Sequence, residues 1–206
     1  MEKYSAQKAA VEIESFVNDL SLWYIRRSRD RIGPSAKGSK DKDACYKTLY
    51  FILVNLSKLL APFTPFISEE IYTNLTGEAS VHLSDWPEAD TKLIDEKLEQ
   101  EIVFGRQIVE AAHGLRKQAE VKVRIPIKQM TYNGPKELSD RVLKLVKDEI
   151  NVYNLSFDKK IDTYTVVAKT SDDNLDLQFG LARDIVRKIQ EERKKLGTKT
   201  NGKVTV

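Results

Sequence analysis

The stretch LYFILVNLSKLLAPFTPFISEEIYTNL, residues 49–75, decides how this chain is built. Leu49, Ile52, Leu53, Leu56, Leu59 and Leu60 recur with the 3.6-residue period of a helix. Tyr46, Tyr50, Phe51 and Val54 widen the apolar surface beyond one stripe, so the helix expected over Ala44–Ala61 belongs in the middle of a bundle. Pro62 ends it. Thr64 then offers an N-cap, Pro65 suits the first helical position, and Glu69 and Glu70 lie near the positive end of a new helix dipole. The spacing predicts a second helix from Pro65 to Leu75, stopped at Gly77.

Upstream, Ala6, Ala9, Ala10, Ile13, Phe16, Val17, Leu20, Trp23 and Tyr24 fall on one stripe and predict a helix over residues 5–31. The segment GPSAKGSKDKD, residues 33–43, reads as an exposed loop. Downstream, after the connection SVHLSDWPEAD, Leu93, Ile94, Leu98, Ile102, Val103, Ile108, Val109, Ala112 and Leu115 mark a long helix. Four helices with short or polar links suggest an antiparallel bundle. The period then changes to two. In EVKVRIPIKQM, Val121, Val123, Ile125 and Ile127 alternate with Lys122, Arg124, Pro126 and Lys128, which predicts a strand with a basic face, placed at an edge or a bulge by Pro126. A short helix over Leu138–Ile150, strands over Val152–Phe157 and Tyr164–Ala168, and a helix over Leu177–Leu196 closed by Gly197 complete a smaller unit. The fold expected is mainly α: an antiparallel helical bundle over residues 1–119 and a small α+β domain over 120–206.

Composition narrows the function. A chain of 206 residues with 41% hydrophobic and 32% charged side chains can bury a core. The formal charge is only +3, but residues 91–206 carry 23 basic against 18 acidic side chains, while residues 1–90 carry 11 against 13. A single cysteine, Cys45, can make neither an intrachain disulfide nor a thiolate zinc cage, and suits a reducing cytosol. No apolar run has the length of a membrane span or a signal peptide. His82 and His113 have no partner at metal-ligand spacing, and GxGxxG, GxxxxGK, HExxH and GxSxG are all missing. Neither a catalytic residue nor a metal ligand is expected.

The candidate binding residues gather in LSLWYIRRSRDR, residues 20–31. On a wheel of 100° per residue, Arg26 and Arg29 lie about 60° apart, whereas Arg27 and Arg31 share the angular range of the apolar stripe. The four arginines would fan around the last turn. They are either an ordinary basic helix tip, with Arg26 paired to Asp30, or a contact for a polyanion, to which a guanidinium fork is better matched than an ammonium. Trp23 and Tyr24 are either core residues or rings on which an unpaired base could stack. A second basic set, Arg116, Lys117, Lys122, Arg124 and Lys128, is either a phosphate track or the solvated face of a strand.

Read together, LSLWYIRRSRDR, LAPFTPFISEEIYTNL, SVHLSDWP and LRKQAEVKVRIPI resemble, in this order, the anticodon-binding region of isoleucyl-tRNA synthetases and the start of its C-terminal extension. The LAPFTPF and SEEIY elements alone are common to valyl and leucyl enzymes. The resemblance implies binding of isoleucine-accepting tRNA, with Trp23, Tyr24, Arg26, Arg27, Arg29 and Arg31, and after them Arg116, Lys117, Lys122 and Arg124, as candidate contacts. It also implies a parent ligase that uses ATP with magnesium through HIGH and KMSKS motifs, neither of which occurs here, so this chain is expected to be inactive alone and to hold no cofactor. Other expected features are a cytoplasmic monomer, a catalytic domain of the parent as neighbour, and no zinc module within the chain. Ile125 departs from the family strand, where a polar residue, often glutamine, stands. Two rivals remain at this point: the corresponding region of a valyl or leucyl enzyme, and a helical module that docks a protein.

Overall fold

The computed structural model describes residues 5–33, 40–162, 164–168 and 172–197. Helices dominate, and a small mixed sheet follows them, in agreement with a mainly α chain ending in an α+β part. Backbone contacts divide the chain into two compact units, Met1–Asp90 and Thr91–Val206. The long helix that the sequence suggests as the fourth of the bundle therefore has its contacts in the second unit.

In the first unit, α1 (Ala6–Asp19) continues through a π-helical segment (Leu20–Ile25) into α2 (Arg26–Ile32). α1 keeps its apolar stripe, but no residue of it is fully buried. α3 (Lys40–Leu60) starts four residues before the sequence pattern, inside the expected loop; the rest of that loop, 34–39, lies outside the described residues. Asp41 and Asp43 in its first turn complement the helix dipole, which the loop reading of their charges overlooked. α3 packs on α2 and on α4 (Pro65–Thr76) through Cys45, Leu56 and Ser57. Tyr46, Tyr50 and Phe51 of α3 are exposed, so α3 is not surrounded as a central bundle helix would be. Pro65 stands at the start of α4 and Gly77 closes it in the left-handed region at φ 74°. Thr64 precedes α4 without a side-chain cap; its carbonyl accepts from Ser68 N–H at 3.1 Å.

In the second unit, α5 (Glu96–Gln118) is capped by Asp95, whose Oδ1 accepts from Leu98 N–H at 3.1 Å. β1 (Ile127–Tyr132), α6 (Asp140–Ile150), β2 (Val152–Phe157), β3 (Val166–Val167) and α7 (Leu177–Lys195) follow. The sheet order is β2-β1-β3, with β1 parallel to β2 and antiparallel to β3. Ile127 and Met130 from β1 share the core with Val142, Val146 and Ile150 from α6 and Val152 and Leu155 from β2. Gly105 lets α5 approach α6, because a Cβ there would lie 3.1 Å from both Val142 Cγ1 and Val146 Cγ2.

The strand expected over Val121–Ile127 is corrected by the structure. Residues 119–126 are turns, the strand begins only at Ile127, and it is the central strand of the sheet instead of an edge. The alternation of valine and basic residues is real, but local turns win: Val121 N–H bonds to Arg116 O at 2.9 Å and Ile125 N–H to Lys122 O at 2.9 Å. Pro126, which has no N–H to give a ladder, precedes the strand. Its carbonyl accepts from Asp176 N–H at 2.9 Å.

Candidate nucleic-acid interface

The arginine segment owes its shape to the π-helical turn. Bonding from i to i+5 places an extra residue in the turn, so a wheel of 100° per residue fails beyond Leu20. The inward series becomes Leu20, Tyr24, Ser28: Leu20 is 6% exposed, Ser28 2%, and Tyr24 is half-buried. Small Ser28 takes the inward position, and the arginines divide around it.

Arg26 and Arg29 are exposed. Arg26 Nε donates to Leu22 O at 2.9 Å, which ties the start of the fork to the π turn. Arg27 is half-buried with its guanidinium 5.6 Å from the centroid of the Trp23 ring, a cation–π arrangement. Arg31 turns to α3 instead. Its Nε donates to Asp41 Oδ2 and its Nη2 to Asp41 Oδ1, both at 2.7 Å, and hydrogen bonding from Arg31 holds the Asp41 carboxyl below its ordinary value. Tyr46 OH completes the join by donating to Ile32 O at 3.1 Å. Gly33 ends α2 where a Cβ would lie 2.7 Å from Arg29 O. Tyr24 also faces α3: its hydroxyl lies 3.9 Å from Cys45 Sγ, and burial, followed by the Cys45 thiol, raises its pKa. Arg26 and Arg29 thus stay exposed on α2 and Arg27 lies against Trp23 of the π turn, while Tyr24 and Arg31 face α3.

The second basic set disperses. Arg116 is 1% exposed, and its guanidinium donates to four carbonyls: Lys122 O at 3.3 Å, Ile125 O at 2.9 Å, Ile150 O at 2.8 Å and Asn151 O at 3.0 Å. Burial pushes its pKa down to about 10, so it remains a cation at neutral pH. It cannot meet a phosphate without abandoning those carbonyls. Arg124 Nε pairs with Asp184 Oδ1 on α7 at 2.6 Å. Lys117 and Lys122 are exposed. Lys128 Nζ donates to Asp173 O at 2.8 Å.

The sequence did not single out a recess of about 210 Å³ in the first unit, between Lys58 of α3 with Pro62 of the turn after it and the connection carrying His82, Asp85 and Trp86. Glu69 Oε2 anchors that connection by accepting from Ser80 Oγ at 3.1 Å and Val81 N–H at 2.8 Å. The aromatic in SDWP was the available signal, since Trp86 stays 53% exposed. Among the described residues no group of three or more His, Cys, Asp or Glu is gathered to hold a metal ion, and no helix is long and apolar enough to cross a membrane.

Residues 1–132 match the family described as "Anticodon-binding domain of tRNA ligase". The chain is similar to the isoleucine–tRNA ligase of Clostridium acetobutylicum, at 40% identity over 170 residues, covering 80% of this chain and 16% of the relative. It is 37% identical over 220 residues to the isoleucine–tRNA ligase of Dehalococcoides mccartyi, covering 96% of this chain and 22% of the relative. It is 40% identical over 160 residues to that of Thermococcus kodakarensis, covering 73% and 15%. The chain thus spans less than a quarter of the length of these relatives.

Proposed function

Because the chain belongs to the anticodon-binding domains of tRNA ligases, we propose that it is the tRNA-binding portion of an isoleucine–tRNA ligase. The observation that carries this reading is the arginine segment around α2, where Arg26 and Arg29 are exposed and Arg27 lies on Trp23. Exposed guanidinium groups suit RNA phosphates, and an indole with a stacked guanidinium suits an unpaired loop base. In this reading residues 1–119 receive the anticodon arm of an isoleucine-accepting tRNA, and residues 120–206 support them, with exposed Lys117 and Lys122 as further phosphate contacts.

Binding and discrimination are this chain's share of the work. The chain spans 15–22% of the length of its relatives, and in this reading ATP and magnesium act in the rest of the ligase. The protein would act as a monomer in the cytoplasm, beside the catalytic domain of its parent.

The test compares Arg27→Ala with Arg187→Ala, an exposed arginine on α7 paired with Glu191. Titration with isoleucine tRNA should show Arg27→Ala weakening binding by roughly tenfold, the range of one lost stacking or phosphate contact. Arg187→Ala should leave it unchanged. Equal losses would refute the role given to α2, and stronger binding of valine tRNA would refute the isoleucine assignment.

A further inference from the structure

The recess at the C-terminal end of α3 lies far from the arginines. Lys58 follows Asp41, the partner of Arg31, by 17 positions of α3, about 25 Å of helix. Its wall is the half-exposed indole of Trp86, on a connection pinned to α4 through Glu69, so the ring is presented by a fixed frame. Lys58 Nζ lies 5.8 Å from the centroid of the Tyr72 ring, which is 2% exposed and donates its hydroxyl to Glu78. That buried ring steadies the ammonium at the rim. His82 and Asp85 add an imidazole and a carboxylate to the same lining.

The chemistry of this set selects an occupant. One cation, one anion and an imidazole make a nearly neutral lining that both donates and accepts, which fits the edge of a flat heteroaromatic ring better than a bare phosphate. An indole face adds stacking. The volume, about 210 Å³, is below that of pockets for drug-sized ligands and admits one ring system.

Resting on the tRNA reading above, we propose that this recess receives one unpaired nucleobase of the bound tRNA, stacked on Trp86, with its edge met by His82 and Asp85 and its backbone approached by Lys58. The RNA then spans α3 from the arginine end to the recess. A tRNA is long enough for this and a mononucleotide is not.

The chain has two tryptophans, Trp23 and Trp86. Incorporation of 5-fluorotryptophan therefore gives two ¹⁹F resonances, assigned with Trp86→Phe, one for each end of α3. Titration with isoleucine tRNA should shift both, and inorganic phosphate should leave the Trp86 resonance in place. Trp86→Ala should weaken tRNA binding by roughly tenfold, while Trp86→Phe, which keeps an aromatic face, should weaken it less. Retention of tRNA on filters with an unmoved Trp86 resonance would overturn this inference and leave the tRNA reading intact. A Trp86 shift produced equally by inorganic phosphate would overturn it as well, since the recess would then be an anion site. Absence of filter retention at low salt would overturn the tRNA reading, and this inference with it.

Discussion

Arg116→Met separates a buried structural role from a phosphate contact. Methionine keeps an unbranched stem and removes every donor. The four carbonyls that Arg116 serves come from the end of α6 and from the turns before β1. Ile150 is fully buried, whereas Lys122, Ile125 and Asn151 are partly open, so water can replace some of the lost bonds but not the one to Ile150 O at 2.8 Å. A charge-assisted hydrogen bond contributes about 1.5–3 kcal/mol, and a buried acceptor left alone costs about 1–3 kcal/mol. Counting one acceptor stranded and the others partly rehydrated, the substitution should cost about 3–5 kcal/mol. For a unit of this size that corresponds to a fall in Tm of roughly 10–20 °C. Thermal unfolding followed by far-UV circular dichroism measures it, and hydrogen exchange at Val121 and Ile125 should quicken as the turns loosen. Arg116→Lys should fall between, because one ammonium cannot reach carbonyls on both sides. A loss below about 1 kcal/mol would refute the structural role, and so would a drop in tRNA affinity at a temperature where the variant is fully folded.

Other outcomes follow from single contacts. Gly105→Ala should destabilise the second unit by about 1–3 kcal/mol, since the new methyl presses on Val142 and Val146. Gly114→Ala in the same helix meets nothing within 4 Å and should stabilise by roughly 0.5–1 kcal/mol; urea midpoints for both variants check the pair. The Asp41 pKa is lowered in the folded chain, so the ionised carboxylate favours folding. Its contribution is complete above the ordinary aspartate value, near 4, and is lost as the pH falls through the lowered one. The stability gap between the parent chain and Asp41→Asn should therefore close on acidification. A gap that stays constant from pH 6 to pH 2 would refute the Arg31–Asp41 clamp.

Much of the fold could be read directly from the sequence because proline, glycine and a 3.6-residue period act locally. Pro62, Pro65 and Gly77 mark the break and the close of α4, and the pattern around Val142, Val146 and Ile150 gives α6. What escaped depends on distant groups or on hydrogen-bond register. The alternation through Val121–Ile127 imitates a strand, but carbonyls of Lys122 and Ile125 are drawn to a guanidinium from the preceding helix. Arg116 and Lys117 are adjacent, yet one is buried and the other exposed, because the former reaches Ile150 and Asn151, 34 and 35 residues away. The π turn is invisible to any fixed-angle wheel, and the pairing of Arg31 with Asp41, ten residues on, needs the fold to be seen. For the candidate site, composition supplied the arginines and the tryptophan; only the fold sorted those facing outward from those that tie helices together.

The most direct test of an RNA-binding face on α2 is the salt dependence of tRNA binding. Log affinity should fall linearly with log salt, and each phosphate contact removed should make the slope shallower by about 1. The combined variant Arg26→Ala, Arg27→Ala, Arg29→Ala, compared with the unsubstituted chain, should therefore lose about 2–3 in slope as well as affinity. An unchanged slope, or binding insensitive to salt from the outset, would contradict the account.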